Sequence, residues 1–236
     1  MVLSRCVVLI VLVCLSGGCQ NQRAQTASLQ ETWKELGPGL RIDTGARAVS
    51  VSAWVCLEQG WLEQVMCAPG TREHESLLVT NVPASHIHAA LLMIGMEPGQ
   101  PGQWIQQDER VILQEPRGSA VNVHVRYAGE GSGGLVDTPI SDWIADVQSG
   151  AVFPESVFTF GGSVMIQEQL ESDLGSRYMA DHTGSVIGLV TFGDELLGAR
   201  QVIPDSESVH APEWVVRQGH VPPLGTKVEV LLTPVR

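Results

Sequence analysis

The segment CAPGTREHESLLVTNVPASHIHAA, residues 67–90, gathers Cys67, His74, His86 and His88, and Cys56 stands just upstream. Thiolate and imidazole are the ligands of soft or borderline ions, so this crowding could hold zinc or copper. On a helix, His86 and His88 lie about 200° apart, so only one of them can face a given site. No His-x3-His pair chelates an ion by itself. A metal site would therefore be assembled across elements, from Cys56, Cys67, His74 and one helix histidine. A second reading needs no metal. Two cysteines in an exported protein most often pair as a disulfide. A third leaves both thiols buried and free, with Glu73, His74, Glu75 and Ser76 forming a polar network that bonds backbone and caps the following helix.

Geometry bears on the disulfide. If Gln59-Gly60 makes a two-residue turn, Glu58 pairs with Trp61, Cys56 faces Glu63 and Cys67 lies beside Ser52. The cysteines then share a sheet face about 13 Å apart along it. A bridge needs Cα atoms within about 7 Å, so it requires a longer turn or a chain that folds back after Cys67. The Ala-Pro-Gly that follows Cys67 supplies such a departure. All three readings stay open on the sequence.

Other constellations carry less. IDTGARAV, 42–49, imitates one loop of an aspartic protease. That chemistry needs two such loops facing each other, and ADHTGS, 180–185, has His182 inserted between Asp181 and Thr183. Asp-Thr-Gly is also ordinary hairpin-turn chemistry. Gly161-Gly162-Ser163 is not a nucleophile elbow, and Ser-x-x-Lys is absent. Asp181-His182 reads as a turn between strands. His124 alternates with Val121, Val123 and Val125 and faces away from them; His210 and His220 flank proline-rich loops. No catalytic residue is assigned.

The elements that must position these groups are mostly short β-runs. Residues 40–42 and 48–57 read as strands around a turn, followed by 61–66 as a second hairpin and by 76–80. Pro83 opens a helix that Gly95 closes, with Ile87, Leu91 and Ile94 as its buried stripe and Ala90 close by. Residues 97–118 read as a long loop. Strands follow at 120–127, 135–138, 156–167, 177–181, 185–192 and 226–234, and 139–147 suits a short second helix. Strands outnumber helices, and neither βαβ units nor a repeat appears. The expected class is α+β or mainly β, antiparallel, with one main buried helix at 83–95 and a short one at 139–147.

Residues 1–19 have the parts of a secretory signal: Arg5, an apolar core to Leu15, then Ser16-Gly17-Gly18 before Cys19. A cysteine after small residues resembles a bacterial lipobox in which Cys19 is diacylated and becomes the N-terminus; Leu15 stands one place too far upstream for the usual pattern. Gln20 follows, not an acidic retention residue. The expectation is a periplasm-facing envelope protein held by its lipid, at the outer membrane. Residues 20–32 read as a flexible polar tether and 33–236 as a single domain. The formal charge is −12, and loss of residues 1–18 removes only Arg5, giving −13. No basic stripe exists for nucleic acid. Proteins, cations or small solutes fit better.

Several segments together resemble one family, the YdjY-like domain of bacterial envelope proteins. They are VCLEQGWLE (55–63), CAPGTREHESLL (67–78), SHIHAALLMIGMEPGQPG (85–102), FTFGGS (158–163), YMADHTGSVIGLVTF (178–192) and PPLGTKVEVLLTP (222–234). The resemblance implies an envelope domain of unknown biochemical role; some members have been described as ferredoxin-like. Cys56 and Cys67, the only cysteines of the mature domain, lack the close spacing of an iron–sulfur cluster. The expected function is a non-catalytic binding or assembly module, with an envelope protein as partner. The alternative is a metal-binding or thiol-redox protein using Cys56, Cys67, His74 and a helix histidine.

Overall fold

A computed structural model describes residues 33–129, 134–154, 158–170 and 173–235. The signal segment, Cys19 and the tether at 20–32 lie outside the described residues. From Thr32 onward the chain clusters as one unit.

Eight strands close into a barrel: β1 (Ala48–Val55), β2 (Gln64–Cys67), β3 (Ser76–Val79), β4 (Ala120–Ala128), β5 (Phe158–Phe160), β6 (Ser185–Gly188), β7 (Leu197–Ala199) and β8 (Lys227–Pro234). Around the barrel the order is β1-β8-β4-β5-β7-β6-β2-β3, and β3 returns to β1. The long strands alternate in sequence because one face is buried. Val51, Val230 and Val125 stand in one row across β1, β8 and β4, and Val49, Leu232 and Val123 in the next. All six side chains are buried, so each row is a cross-strand apolar ladder. A further strand, Leu40–Asp43, forms the expected hairpin with β1, and Lys34–Gly37 extends that edge. The turn between them is the Asp-Thr-Gly segment, where Asp43 Oδ1 accepts the Ala46 amide at 2.9 Å.

Two neighbouring pairs are parallel, β2 with β3 and β6 with β7. Parallel strands usually need a dozen or more connecting residues. Here each connection is short, 68–75 and 189–196, and must run back along its own strands. Since β2 pairs with β6, these two return loops become neighbours. Arg72 of one lies 3.7 Å over the ring of Phe192 in the other.

Helix α1 (Ala84–Met93) forms where expected, between Pro83 and the Gly95 stop at φ +76°. Its buried residues are Ala84, Ile87, Ala90 and Leu91, with Ile94 at the cap. It packs on the 40–43 strand, on β1 and on a one-turn helix α2 (Met179–Thr183).

Several expectations are corrected. The helix expected at 139–147 is a 3-10 turn, Ile140–Trp143, followed by a strand, Ile144–Asp146, that pairs with Trp214–Val216. The turn buries Ile140 and Trp143, three apart, without a longer helix. Residues 97–118 hold a hairpin, Gln103–Gln107 with Arg110–Gln114, and two shorter strands. Residues 61–66 do not fold back on β1: Trp61–Leu62 pairs with Trp214–Val216, and β2 pairs with β3 and β6. The 156–167 run, of which 156–157 lie outside the described residues, is two strands, Phe158–Phe160 and Met165–Leu170, separated by 161–164, and Asp181-His182 sit in α2.

Candidate functional site

The corrected topology changes where the cysteines meet. β3 runs between β1 and β2. The Cys56 amide bonds Leu77 O at 2.9 Å, and Cys67 O accepts the Thr80 amide at 3.0 Å. The two cysteines therefore flank one strand, near enough for each thiol to perturb the other's proton affinity. Both are free; Cys67 is buried and Cys56 half-buried. Cys56 Sγ lies 3.1 Å from Ser76 O, which accepts its proton. The Cys56 thiol is the main influence pulling the Cys67 thiol down to about 7, against the effect of burial. The Ser76 hydroxyl, the Arg72 amide and Thr71 assist. The same pairing, with burial, pushes the Cys56 thiol up. Ser76 Oγ, wholly buried, finds no nitrogen or oxygen partner, and Cys67 is its polar neighbour. A Cβ on Gly184 would stand 2.5 Å from Thr71 Oγ1, so only glycine leaves Thr71 this place.

The histidines do not join them. His74 has a side chain 76 % exposed and reaches Glu75 at 3.5 Å. His86 is exposed on α1. His88 meets Tyr178 instead, its Nδ1 2.9 Å from the Tyr178 hydroxyl. Tyr178 donates to Gly162 O at 2.9 Å, so Nδ1 carries the proton toward Tyr178. Burial lowers the His88 pKa, opposed by Gly162 O. Among the described residues no three His, Cys, Asp or Glu side chains form a metal-holding group. The metal set Cys56, Cys67, His74, His86 and His88 is therefore not assembled, and of the two readings that remain Cys56 and Cys67 take the free-thiol one, not the disulfide. The reason is the crossover: 68–75 turns His74 outward while folding Thr71 and Arg72 back over Cys67.

The polar network of 73–76 is found in altered form. Glu73 caps the turn through the Gly70 amide at 2.6 Å. Glu75 is drawn beside Glu63, because the Glu63 amide bonds Glu75 O at 2.9 Å. Burial, then the charge and hydrogen bond of Glu75, raise Glu63 to about 7. Arg72 bridges both carboxyls, 3.8 Å from Glu63 and 3.6 Å from Glu75. This carboxyl pair opens into a cleft of about 590 Å³. Trp61, half exposed, forms one wall, and the 203–213 segment, with Asp205, forms the other. Trp104 Nε1 holds Asp205 at 2.9 Å. Five carboxylate residues and no lysine or arginine line it. Sequence reasoning missed this site, since Trp61 and Glu63 were assigned to a hairpin that does not form.

A second polar junction ties α1 to the barrel. Asp181 Oδ1 accepts the Ser85 amide at 2.9 Å, and Ser163 Oγ accepts the Ala180 amide at 3.0 Å. His88 packs edge-on to Phe160 at 4.9 Å. The segments SHIHAALL, FTFGGS and YMADHTGS, far apart in sequence, thus meet as the mounting of one helix.

Neither a curated protein nor a solved structure matches the chain. The model of the YdjY domain matches residues 40–233, from the first hairpin of the barrel to its last strand. The chain belongs to the YdjY domain family.

Proposed function

We propose that this chain is an exported, lipid-anchored envelope domain that works as a binding or assembly module and takes its ligand in the Trp61 cleft. The cleft carries the reading: it is open, its volume suits a peptide side-chain cluster or a small solute, and it combines an aromatic wall with polar groups. The excess of carboxylates favours a ligand bearing positive charge, such as a basic segment of an envelope protein. With a formal charge of −12, long-range steering has the same sign.

A photo-cross-linking aromatic residue at position 61, in cells, is expected to give a discrete adduct with an envelope protein. The same residue at Leu135, which is 70 % exposed, is the control. Adding Glu63→Gln and Asp205→Asn should abolish the adduct at 61. No adduct there, or the same adducts from both positions, would sink the cleft as the binding site.

Anchoring is tested separately. Cys19→Ser is expected to move the protein from membranes to the soluble envelope fraction, because it removes the thiol that carries the acyl chains. A variant that stays membrane-bound after carbonate washing would make the apolar segment before Cys19 the anchor.

A further inference from the structure

We propose that two copies of this chain join edge to edge through Arg110–Gln114, making one four-stranded antiparallel sheet from their two hairpins. The hairpin of Gln103–Gln107 with Arg110–Gln114 is a sheet of its own, and among the described residues no other strand pairs with it. Its inner strand is tied to the molecule. Gln103 Nε2 donates to Gly193 O at 2.8 Å, and Trp104 Nε1 donates to Asp205 at 2.9 Å. The outer strand, Arg110–Gln114, is exposed along its whole length, with Ile112 50 % and Leu113 53 % exposed. A lone two-stranded hairpin is marginally stable in water, and an apolar free edge is a template for another strand.

The outer strand is complementary to itself. A closed two-fold pair of antiparallel strands must set one residue opposite its own copy. Centred on Ile112, the pair sets Val111 opposite Leu113 and Arg110 opposite Gln114. Centring on Val111 would set Arg110 against Ile112, and centring on Leu113 would set Val111 against Glu115. Only Ile112 keeps apolar residues with apolar ones. Opposed residues share a sheet face, and within each hairpin Ile105 already pairs with Ile112 and Trp104 with Leu113. One face of the joined sheet then carries a row of four isoleucines, Ile105 and Ile112 from each chain. On the other face, Trp104 and Leu113 of each chain meet Val111 of the second. Charge selects the same edge. At a formal charge of −12, two copies repel over most of their surface, whereas Arg110–Gln114 holds one cation and no carboxylate. This inference is independent of the cleft: it needs no ligand there.

Full-length protein with Ile112→Cys is expressed in cells, treated with diamide and run on a gel without reductant. Opposed Cα atoms in such a pair lie about 4.5–5.5 Å apart, within disulfide reach, so Ile112→Cys should run as a covalent dimer. Arg110→Cys should stay single, Arg110→Cys with Gln114→Cys should cross-link, and the wild type gives the background from the native cysteines. Light scattering on the purified full chain should give the mass of two chains. Ile112→Lys, at an exposed position, sets like charges face to face and should give the mass of one. A one-chain mass for the wild type, a two-chain mass for Ile112→Lys, or equal cross-linking of Ile112→Cys and Arg110→Cys would each overturn the proposal.

Discussion

Leu91→Ala is expected to cost about 2–5 kcal/mol of folding stability, the range for buried leucine truncations. Leu91 is fully buried, and α1 offers its Ile87, Ala90, Leu91 and Ile94 face to the 40–43 strand and β1. The helix ends are fixed by Pro83 and Gly95, and its N-terminus is tied to Asp181. The helix therefore cannot slide to close the void, and most of the lost contact remains as cavity. Leu92, its neighbour, is 46 % exposed and serves as the control. Leu92→Ala should change stability by less than about 0.5 kcal/mol, as surface substitutions do. Denaturant unfolding of the two variants measures the difference directly. Equal losses at 91 and 92 would show that the helix is not seated on the barrel.

The same helix shows what a sequence can express locally. Its start, stop and buried stripe are all written within about a dozen consecutive residues by proline, glycine and 3.6-residue spacing. The long strands β1, β4 and β8 were legible for the same reason, as alternation over eight or nine residues. Barrel closure was not. It depends on β5 and β7, three residues each, and on two parallel pairs whose register no local pattern encodes. Ile140 to Trp143 misled because a proline followed by apolar residues three apart suits a 3-10 turn as well as a helix; pairing of 144–146 with 214–216 decided it.

The site was legible in its parts and not in its assembly. Cys56, Cys67, His74 and the glutamates were picked out by residue type, but a two-residue turn at Gln59-Gly60 was assumed to set their register. In the fold, Gly60 O accepts the Val216 amide and Trp61 joins a different small sheet. That shift frees β2 to lie beside β3, sets the two cysteines on either side of β3 and sends His74 to solvent. Glu63 and Trp61, read as strand residues, become the mouth of the cleft. What no inspection of spacing could supply was the return of 68–75 along its own strands.

A pH profile is expected to report the second return loop, through Glu195. This residue is wholly buried, and its Oε2 accepts the Gly193 amide at 2.8 Å and the Asp194 amide at 3.1 Å. It packs against Gly188 and Gly198, which face each other in β6 and β7; a Cβ on Gly198 would stand 3.0 Å from Glu195 Oε1. Burial raises its pKa to about 7, and the two amide bonds offset only part of that. Below about pH 4.5 the folded and unfolded chains both hold this proton. Between there and pH 7 the unfolded chain releases it while the folded chain keeps it, so stability must fall as pH rises. A shift of this size corresponds to about 3 kcal/mol at most. Glu63 and Glu213, raised chiefly by burial, add the same sign; His88, lowered by burial, opposes part of the fall below about pH 6.5; Cys67, lowered to about 7, acts above this window, and Glu73, Asp137 and Asp146, lowered, act only below it. Glu195→Gln keeps an oxygen for both amides and removes the titration. Denaturant unfolding at pH 5 and pH 7 should therefore show wild-type stability dropping by about 2–3 kcal/mol, with most of that drop absent in Glu195→Gln and a smaller part absent in Glu63→Gln. A wild type with equal stability at both pH values, or a Glu195→Gln protein with the full wild-type drop, would mean the carboxyl is ionised inside the barrel wall and the loop is held by charge.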